Sequence, residues 1–472
     1  MKKFQIYSLF LLLTVIPSGC SDMDDNAVPS TLEVKDFVWK GMNLYYLWQT
    51  DVTDLDDDRF ANQTELNNFL TTFANPTDLF NHLRVPSPTD RFSGIYSDYS
   101  VLEGVLSGST LNNGMDFGLK HVNSTTNVYG WVRYIIPNSD AASKDIQRGD
   151  IFYAINGISL TDDNYRSLLF SNDETYTVNL ADYSCDNSGF VTITPNGQSV
   201  TLNKTALAEN PIYLNTVITQ GTHNIGYLMY NGFYANYDTQ LNATIGNLAA
   251  QNVTDLVLDL RYNSGGSVNT AVKLASMITG QFTGQLFARQ QWNAKAQSYY
   301  LNNNPGALQN KFIGGLNGLN LNKVYILTTK GTASASELVI NCLKPYVEVV
   351  QIGDITTGKN VGSITLYDSP TFAKTNVNPN HKYALQPIVL KIVNKNNFGD
   401  YTTGINPTIL LPENLNNMGI LGNVNEPLLN VAINQIISSG KKIPQVPNII
   451  HRDFTDAKLQ NPLRSEMFVE NK

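Results

Sequence analysis

Cysteine is nearly absent from this 472-residue chain, which carries only Cys20, Cys185 and Cys342. Cys185 and Cys342 fall in what read as different domains, which argues against a disulfide framework. Histidine is as sparse: His82, His121, His223, His381 and His451 stand singly, without paired ligand spacing, and nothing calls for zinc or any other metal or cofactor. Basic charge is in deficit as well. Lys and Arg number 32 against 40 Asp and Glu, a net charge of −8, which leaves no footprint for nucleic acid. Gln/Asn-only tracts are missing, and an apolar content of 42% fits folded domains rather than disorder.

What is present begins with a targeting segment over residues 1–20. Lys2 and Lys3 form its positive end, Ile6 to Ile16 its apolar core, and Pro17-Ser-Gly-Cys20 a small-residue exit. The run is short for a membrane span, which predicts removal rather than retention. Its end resembles a bacterial lipoprotein signal, in which the cysteine is lipidated; Pro17 stands where an aliphatic residue is usual, and an ordinary secretory signal is the alternative. The resemblance implies a lipid anchor at Cys20, a cell-envelope location on the outer membrane, and the acidic stretch Ser21–Asp25 as a tether.

Residues 21–90 read as tether and a small helical N-terminal domain. Ser30 and Glu33 have capping-box spacing, and Val34, Phe37, Val38, Met42 and Tyr45 recur at helical intervals. The aromatic stripe reads as a packing face rather than a ligand cleft. Over residues 91–205 short strands alternate with Gly/Asn/Asp turns, including an Asn156-Gly157 hairpin signal. This segment resembles a PDZ domain. Its carboxylate-binding loop would fall at Gly114, Met115, Asp116, Phe117 and Gly118, with Asp116 close enough to oppose an incoming carboxylate. A groove filled by the chain itself is the other reading.

Residues 206–445 alternate strands and helices, which argues for a mostly parallel sheet covered by helices; residues 446–472 form a C-terminal tail. The continuous apolar strand Asp255–Arg261 runs into Tyr262-Asn-Ser-Gly265-Gly266, a natural place for exposed backbone N–H donors. Further on, the strand-like run from Val324 ends at Gly331-Thr-Ala-Ser334-Ala-Ser336-Glu337 and a helix follows. Small residues at such a turn leave a serine hydroxyl at the sheet edge, the geometry a nucleophile needs. These features alone leave Ser334 and Ser336 open, and Ser336-Glu337 reads equally as a helix-start pair. Cys342 in that helix reads as an inert buried thiol.

Taken in order, the PDZ-like segment, Asp259-Leu-Arg-Tyr-Asn-Ser-Gly-Gly266, Thr332–Glu337, Gly353–Lys359 and Tyr401-Thr-Thr-Gly404-Ile-Asn-Pro407 resemble the C-terminal processing (tail-specific) serine peptidase family. The likeness covers most of residues 91–410. It implies an α/β, multi-domain fold with a crotonase/ClpP-like peptidase core, a Ser334 nucleophile, a Lys359 general base and an oxyanion hole from Ala335 with Gly265 or Gly266. The 25-residue interval from Ser334 to Lys359 is the family's. Two departures stand out. Ser363 occupies the position where many relatives carry a base-orienting glutamine. Asp90-Arg-Phe-Ser93 puts phenylalanine where a tricorn-like branch has histidine. The implied function is a serine endopeptidase acting on envelope proteins or peptides; the alternative is a catalytically weak or inactive relative that binds peptide termini through its PDZ domain as a surface lipoprotein. A crotonase-like acyl-CoA enzyme shares the core topology but fits a secreted, PDZ-bearing chain poorly.

Overall fold

The computed structural model describes residues 28–186, 188–438, 453–456 and 467–470. The targeting segment with Cys20 lies outside the described residues, as does most of the tail. Among the described residues no helix is long and apolar enough to cross a membrane, and no cluster of His, Cys, Asp and Glu could hold a metal ion. The fold is mixed α/β with several packed units.

Helix α1 (Glu33–Tyr45) starts two positions later than the Ser30–Glu33 spacing predicts. Leu32 N–H bonds back to Pro29, closing a turn over residues 30–32, so Glu33 sits at the first helical position and no capping box forms. Helices α2 (Gln63–Thr71) and α3 (Pro76–His82) are capped by the side chains of Asn62 and Asn75. Phe37, Val38, Met42 and Tyr46 are buried in one apolar cluster with Leu366, Leu385 and Val389, so the aromatic stripe is a packing face and the helices share the core of the α/β body.

Next comes an antiparallel sheet of β1 (Met115–His121), β2 (Val128–Ile135), β3 (Ile151–Ile155), β4 (Thr175–Cys185) and β5 (Val191–Asn203), with a short helix α4 (Tyr165–Leu169). The expected hairpin is there: Ile155 pairs with Ile158 around Asn156 (φ 52°) and Gly157 (φ 78°).

The body is a six-stranded sheet in the order β6 (Ile212–Gln220), β7 (His223–Tyr230), β8 (Asp255–Asp259), then Lys323–Thr328, Glu348–Gly353 and Ile409–Leu410; all neighbours are parallel except the first pair. Between these run α5 (Asp238–Ala250), β9 (Gly266–Ser267), α6 (Val268–Thr279), β10 (Leu286–Trp292) and β11 (Gln309–Lys311). We number the strand Lys323–Thr328 β12, the helix Ala335–Leu343 α7, Glu348–Gly353 β13, Val361–Ser363 β14, Ile388–Asn394 β15, Ile409–Leu410 β16 and the helix Pro427–Ile437 α8. Near-continuous burial of β8 and β12 is what helices on both faces require. Two tail segments, β17 (Asp453–Asp456) and β18 (Met467–Phe468), add to other sheets: β17 pairs with β1, and β18 lies between β9 and β14 in a second six-stranded sheet.

A buried ionic network fixes the loop after β8. Arg261, fully buried, forms a bidentate pair with Glu426 (2.7 and 3.0 Å), bonds Asp259 and reaches Glu413 at 3.1 Å. From the antiparallel sheet Arg148 meets the same Glu413 at 2.8 Å and the Tyr262 hydroxyl at 2.6 Å. Burial alone would raise the Glu413 carboxyl, but Arg148 and Arg261 overcome it and hold the group at about 2 against an ordinary 4.5. A depressed carboxyl contributes stability that is full above 4.5 and fades as pH falls towards 2. Between pH 5 and pH 3 the chain is therefore expected to lose about 2 kcal/mol from this group alone. Denaturant unfolding at both pH values should show that loss shrinking in Glu413→Gln; equal losses in both proteins would refute the assignment.

Candidate active site

Strand β12 ends at Thr328, α7 begins at Ala335, and Ser334 is the residue between turn and helix. Its backbone has φ 63° and ψ −117°, which strains a non-glycine residue by about 1–3 kcal/mol. Ser334 is wholly buried; its Oγ donates no hydrogen bond among the described residues and faces the Glu337 N–H only as the loose half of a capping box. Ser336 is different. It lies inside the first turn of α7, and its hydroxyl donates to the Asn263 carbonyl at 3.0 Å.

Glu337 ties this turn to the lysine turn. One carboxylate oxygen accepts the N–H groups of Ser334 and Lys359, both at 2.8 Å; the other accepts the Gly358 N–H at 2.7 Å and the Thr356 hydroxyl. Burial pushes this carboxyl above its usual range, opposed by those four donors. The Ser334-Ala-Ser-Glu337 spacing is itself a capping-box signature, a signal available in the sequence that the reading of Ser336-Glu337 as the helix start passed over. The Tyr401–Pro407 segment packs beneath: a Cβ on Gly358 would stand 2.3 Å from Thr402 O, and Ile405 N–H donates to Thr356 Oγ1 at 2.7 Å.

Lys359 is fully buried, with Nζ 4.6 Å from the centroid of the Phe92 ring. Phe92 is positioned by Asp90, whose carboxylate accepts the N–H groups of Phe92 (3.0 Å) and Ser93 (2.9 Å) and the Tyr46 hydroxyl (2.8 Å). Arg91 donates to the Gly358 carbonyl at 3.1 Å. The Asp90–Ser93 stretch thus does reach the lysine turn, with an aromatic face rather than an imidazole.

Gly265 and Gly266 adopt φ 118° and 135°. A Cβ on Gly266 would lie 2.3 Å from Phe233 O, so only glycine fits. The Gly265 N–H donates to Asn263 Oδ1 at 2.9 Å, which leaves Gly266 as the candidate donor of the two. The Ala335 N–H opens α7, where helical N–H groups lack an intrahelical acceptor. Ser363 receives the Gln386 amide at 3.0 Å and donates to Met467 O at 3.3 Å, while Thr365 donates to Gln386 Oε1 at 2.8 Å. A glutamine is therefore next to this position, delivered by a distant strand that no sequence signal marks.

Away from this cluster, Met115–Gly118 lie in β1 and Gly114 immediately precedes it. The Gly114 and Met115 N–H groups donate to the side chains of Asn112 and Asn113, and Asp116 is buried 3.5 Å from Arg133 rather than facing solvent. Cys342 is buried in α7, and burial pushes its thiol up.

The family description of peptidase family S41 matches residues 224–377, which contain Gly265, Gly266, Ser334, Ala335, Lys359 and Ser363, and that of the peptidase S41 N-terminal domain matches residues 33–94. These matches make residues 224–377 similar to an S41 peptidase domain and residues 33–94 similar to the N-terminal domain that accompanies it. The chain is 28% identical over 159 residues to the "Probable CtpA-like serine protease" of Staphylococcus epidermidis, covering 34% of this chain and 30% of that protein. Over 170 residues it is 28% identical to "Carboxyl-terminal-processing peptidase 2, chloroplastic" of Arabidopsis thaliana, covering 35% and 30%. The matched region thus spans under a third of these curated relatives. Among solved structures, an S41 protein of Bacteroides fragilis superposes with a TM-score of 0.64 at 26% identity, over 88% of this chain and 99% of that one. A photosystem II D1 C-terminal processing protease shares the fold at a TM-score of 0.51 and 16% identity, over 82% and 94%. The S41 fold accounts for the order of the elements around Ser334.

Proposed function

We propose that this chain is a serine endopeptidase in which Ser334 is the nucleophile and Lys359 the general base. The observation that carries the reading is the strained, buried Ser334, whose hydroxyl donates to no group of the fold, joined through one carboxylate to the lysine turn. Strain held at a site by its surroundings is a mark of function rather than of packing.

In the mechanism, Lys359 Nζ in its neutral form takes the proton of Ser334 Oγ as Oγ bonds to the scissile carbonyl carbon. The neutral amine is the form a base requires. The N–H groups of Ala335 and Gly266 stabilise the oxyanion. The proton then passes from Nζ to the leaving amine, the C–N bond breaks, and a water activated by the same lysine hydrolyses the acyl-serine. Ser363, held by Gln386, orients the base in place of the usual glutamine. Substrates are proteins or peptides of the cell envelope, reached through a lipid anchor at Cys20. Recognition of substrate C-termini by the PDZ-like sheet is the weaker part, because the N–H groups of its loop and the edge of β1 are engaged within the chain.

A fluorophosphonate probe tests the reading. Labelling is expected on the peptide containing Ser334, persisting in Ser336→Ala and absent in Ser334→Ala. Label on Ser336, or none on any serine, would refute it.

A further inference from the structure

The two strands that flank the candidate site present open edges to each other, and a third strand from the chain's own end lies between them. On one side β9 continues directly from the Gly265-Gly266 turn; on the other β14 ends at Ser363, shortly after Lys359. Strand β18 runs parallel to both. Met467 stands opposite Gly266, and Phe468 opposite Ser267 and Ser363. The Val469 N–H donates to the Ser363 carbonyl at 3.0 Å, and Ser363 Oγ donates to Met467 O at 3.3 Å.

The side chains are received as well as the backbone. Met467 is wholly buried, and Phe468 and Val469 are each 9% exposed. The Glu470 carboxylate accepts the Ser267 hydroxyl and the Asn269 amide, at the N-terminal end of α6 where the helix dipole favours an anion. Addition of an extended segment to free edges, with pockets for its side chains, is how sheets bind peptides. The same tail also adds β17 antiparallel to β1, Asp453 opposite Lys120 and Asp456 opposite Gly118.

We propose that the slot between β9 and β14 is a peptide-binding track and that Met467–Glu470 occupies it as a built-in competing ligand. The ligand class is an extended peptide with consecutive apolar residues followed by an acidic one, the last read by Ser267 and Asn269. Tethering makes the competition intramolecular, with an effective concentration in the millimolar range for a short linker. A substrate must therefore displace the tail before it can lie along Gly266 and Ser363. That consequence for turnover rests on the reading of Ser334 and Lys359 as catalytic; the binding site itself does not.

The test uses the full chain carrying Ser334→Ala throughout, so that failure of the catalytic reading leaves its outcome intact. A fluorescein-labelled peptide of sequence Ser-Glu-Met-Phe-Val-Glu-Asn-Lys is titrated by anisotropy into this protein and into one that also carries Met467→Asp and Phe468→Asp. The tail-substituted chain is expected to bind at least tenfold tighter, and a peptide with Asp at the Met and Phe positions should not bind. Equal affinities, or no binding to a tail-substituted chain whose circular dichroism is native, would overturn the proposal. Should that variant fail to fold, hydrogen exchange of the Val469 amide in the Ser334→Ala chain decides. Protection lost on saturation with unlabelled peptide supports a displaceable ligand, and protection unchanged identifies a permanent strand of the sheet and overturns it.

Discussion

Ser334→Ala is expected to lower kcat for an unfolded protein substrate by about 10⁴- to 10⁶-fold while leaving the fold as stable as before. The two halves of this result come from the same geometry. Because the Ser334 Oγ is buried, donates to nothing among the described residues and offers the Glu337 N–H only a loose cap, its removal breaks little. A buried hydroxyl that donates to nothing is unfavourable, so deleting it is neutral or mildly stabilising, within about 1 kcal/mol. The backbone strain at φ 63° stays, since alanine bears the same Cβ. Ser336→Ala should behave in the opposite way. It removes one of the two bonds to Asn263 O, which keeps the Ala333 N–H at 3.1 Å, lowering stability by about 1 kcal/mol with cleavage retained. Urea unfolding and initial rates on the two variants form the check. Wild-type turnover by Ser334→Ala sinks the nucleophile, and a loss of several kcal/mol in that variant would make its hydroxyl structural instead.

How much of this site the sequence discloses depends on how local each part is. The turn at Gly331–Glu337, the Gly265-Gly266 turn and Lys359 are each read from a contiguous stretch, because a strand, a tight turn and a helix leave their marks within a few residues. The same locality exposes the apolar strands β8 and β12 and the Asn156-Gly157 hairpin. Where the outcome depends on which of two local options wins, the sequence is less decisive. Ser30 and Glu33 have the capping spacing, yet Leu32 caps α1 because the Pro29 carbonyl draws the chain into a turn first. The parts that stay hidden are long-range. Gln386 reaches Ser363 from another strand, Phe92 reaches Lys359 from a loop far upstream, and Met467–Glu470 returns from the end of the chain. None of these pairings has a periodicity or a turn residue to announce it.

Glu337 lies between these cases, and Glu337→Gln should be the most damaging isosteric change at the site. The carboxylate has two oxygens and receives two donors on each. An amide keeps one acceptor and replaces the other with an NH₂ group. With NH₂ towards Ser334 and Lys359, two N–H groups meet two more hydrogens. Turned the other way, it meets the Gly358 N–H and the Thr356 hydroxyl. Thr356 can rotate its hydrogen away, but Gly358 cannot. At least one buried N–H is thus left opposed in either orientation, a loss of about 2–4 kcal/mol. The kinetic effect follows from what those N–H groups hold. Ser334 and Lys359 are bound to the same oxygen at 2.8 Å each, so relaxing that oxygen relaxes their mutual placement. A misplacement near 1 Å is enough to reduce turnover about 10²-fold. Glu337 touches neither substrate nor proton in this scheme, so it is a positioning residue: kcat and the rate of fluorophosphonate labelling should fall together, with KM little changed. A variant that loses stability but labels Ser334 at the wild-type rate would show that the carboxylate holds up the fold without setting the alignment of serine and lysine.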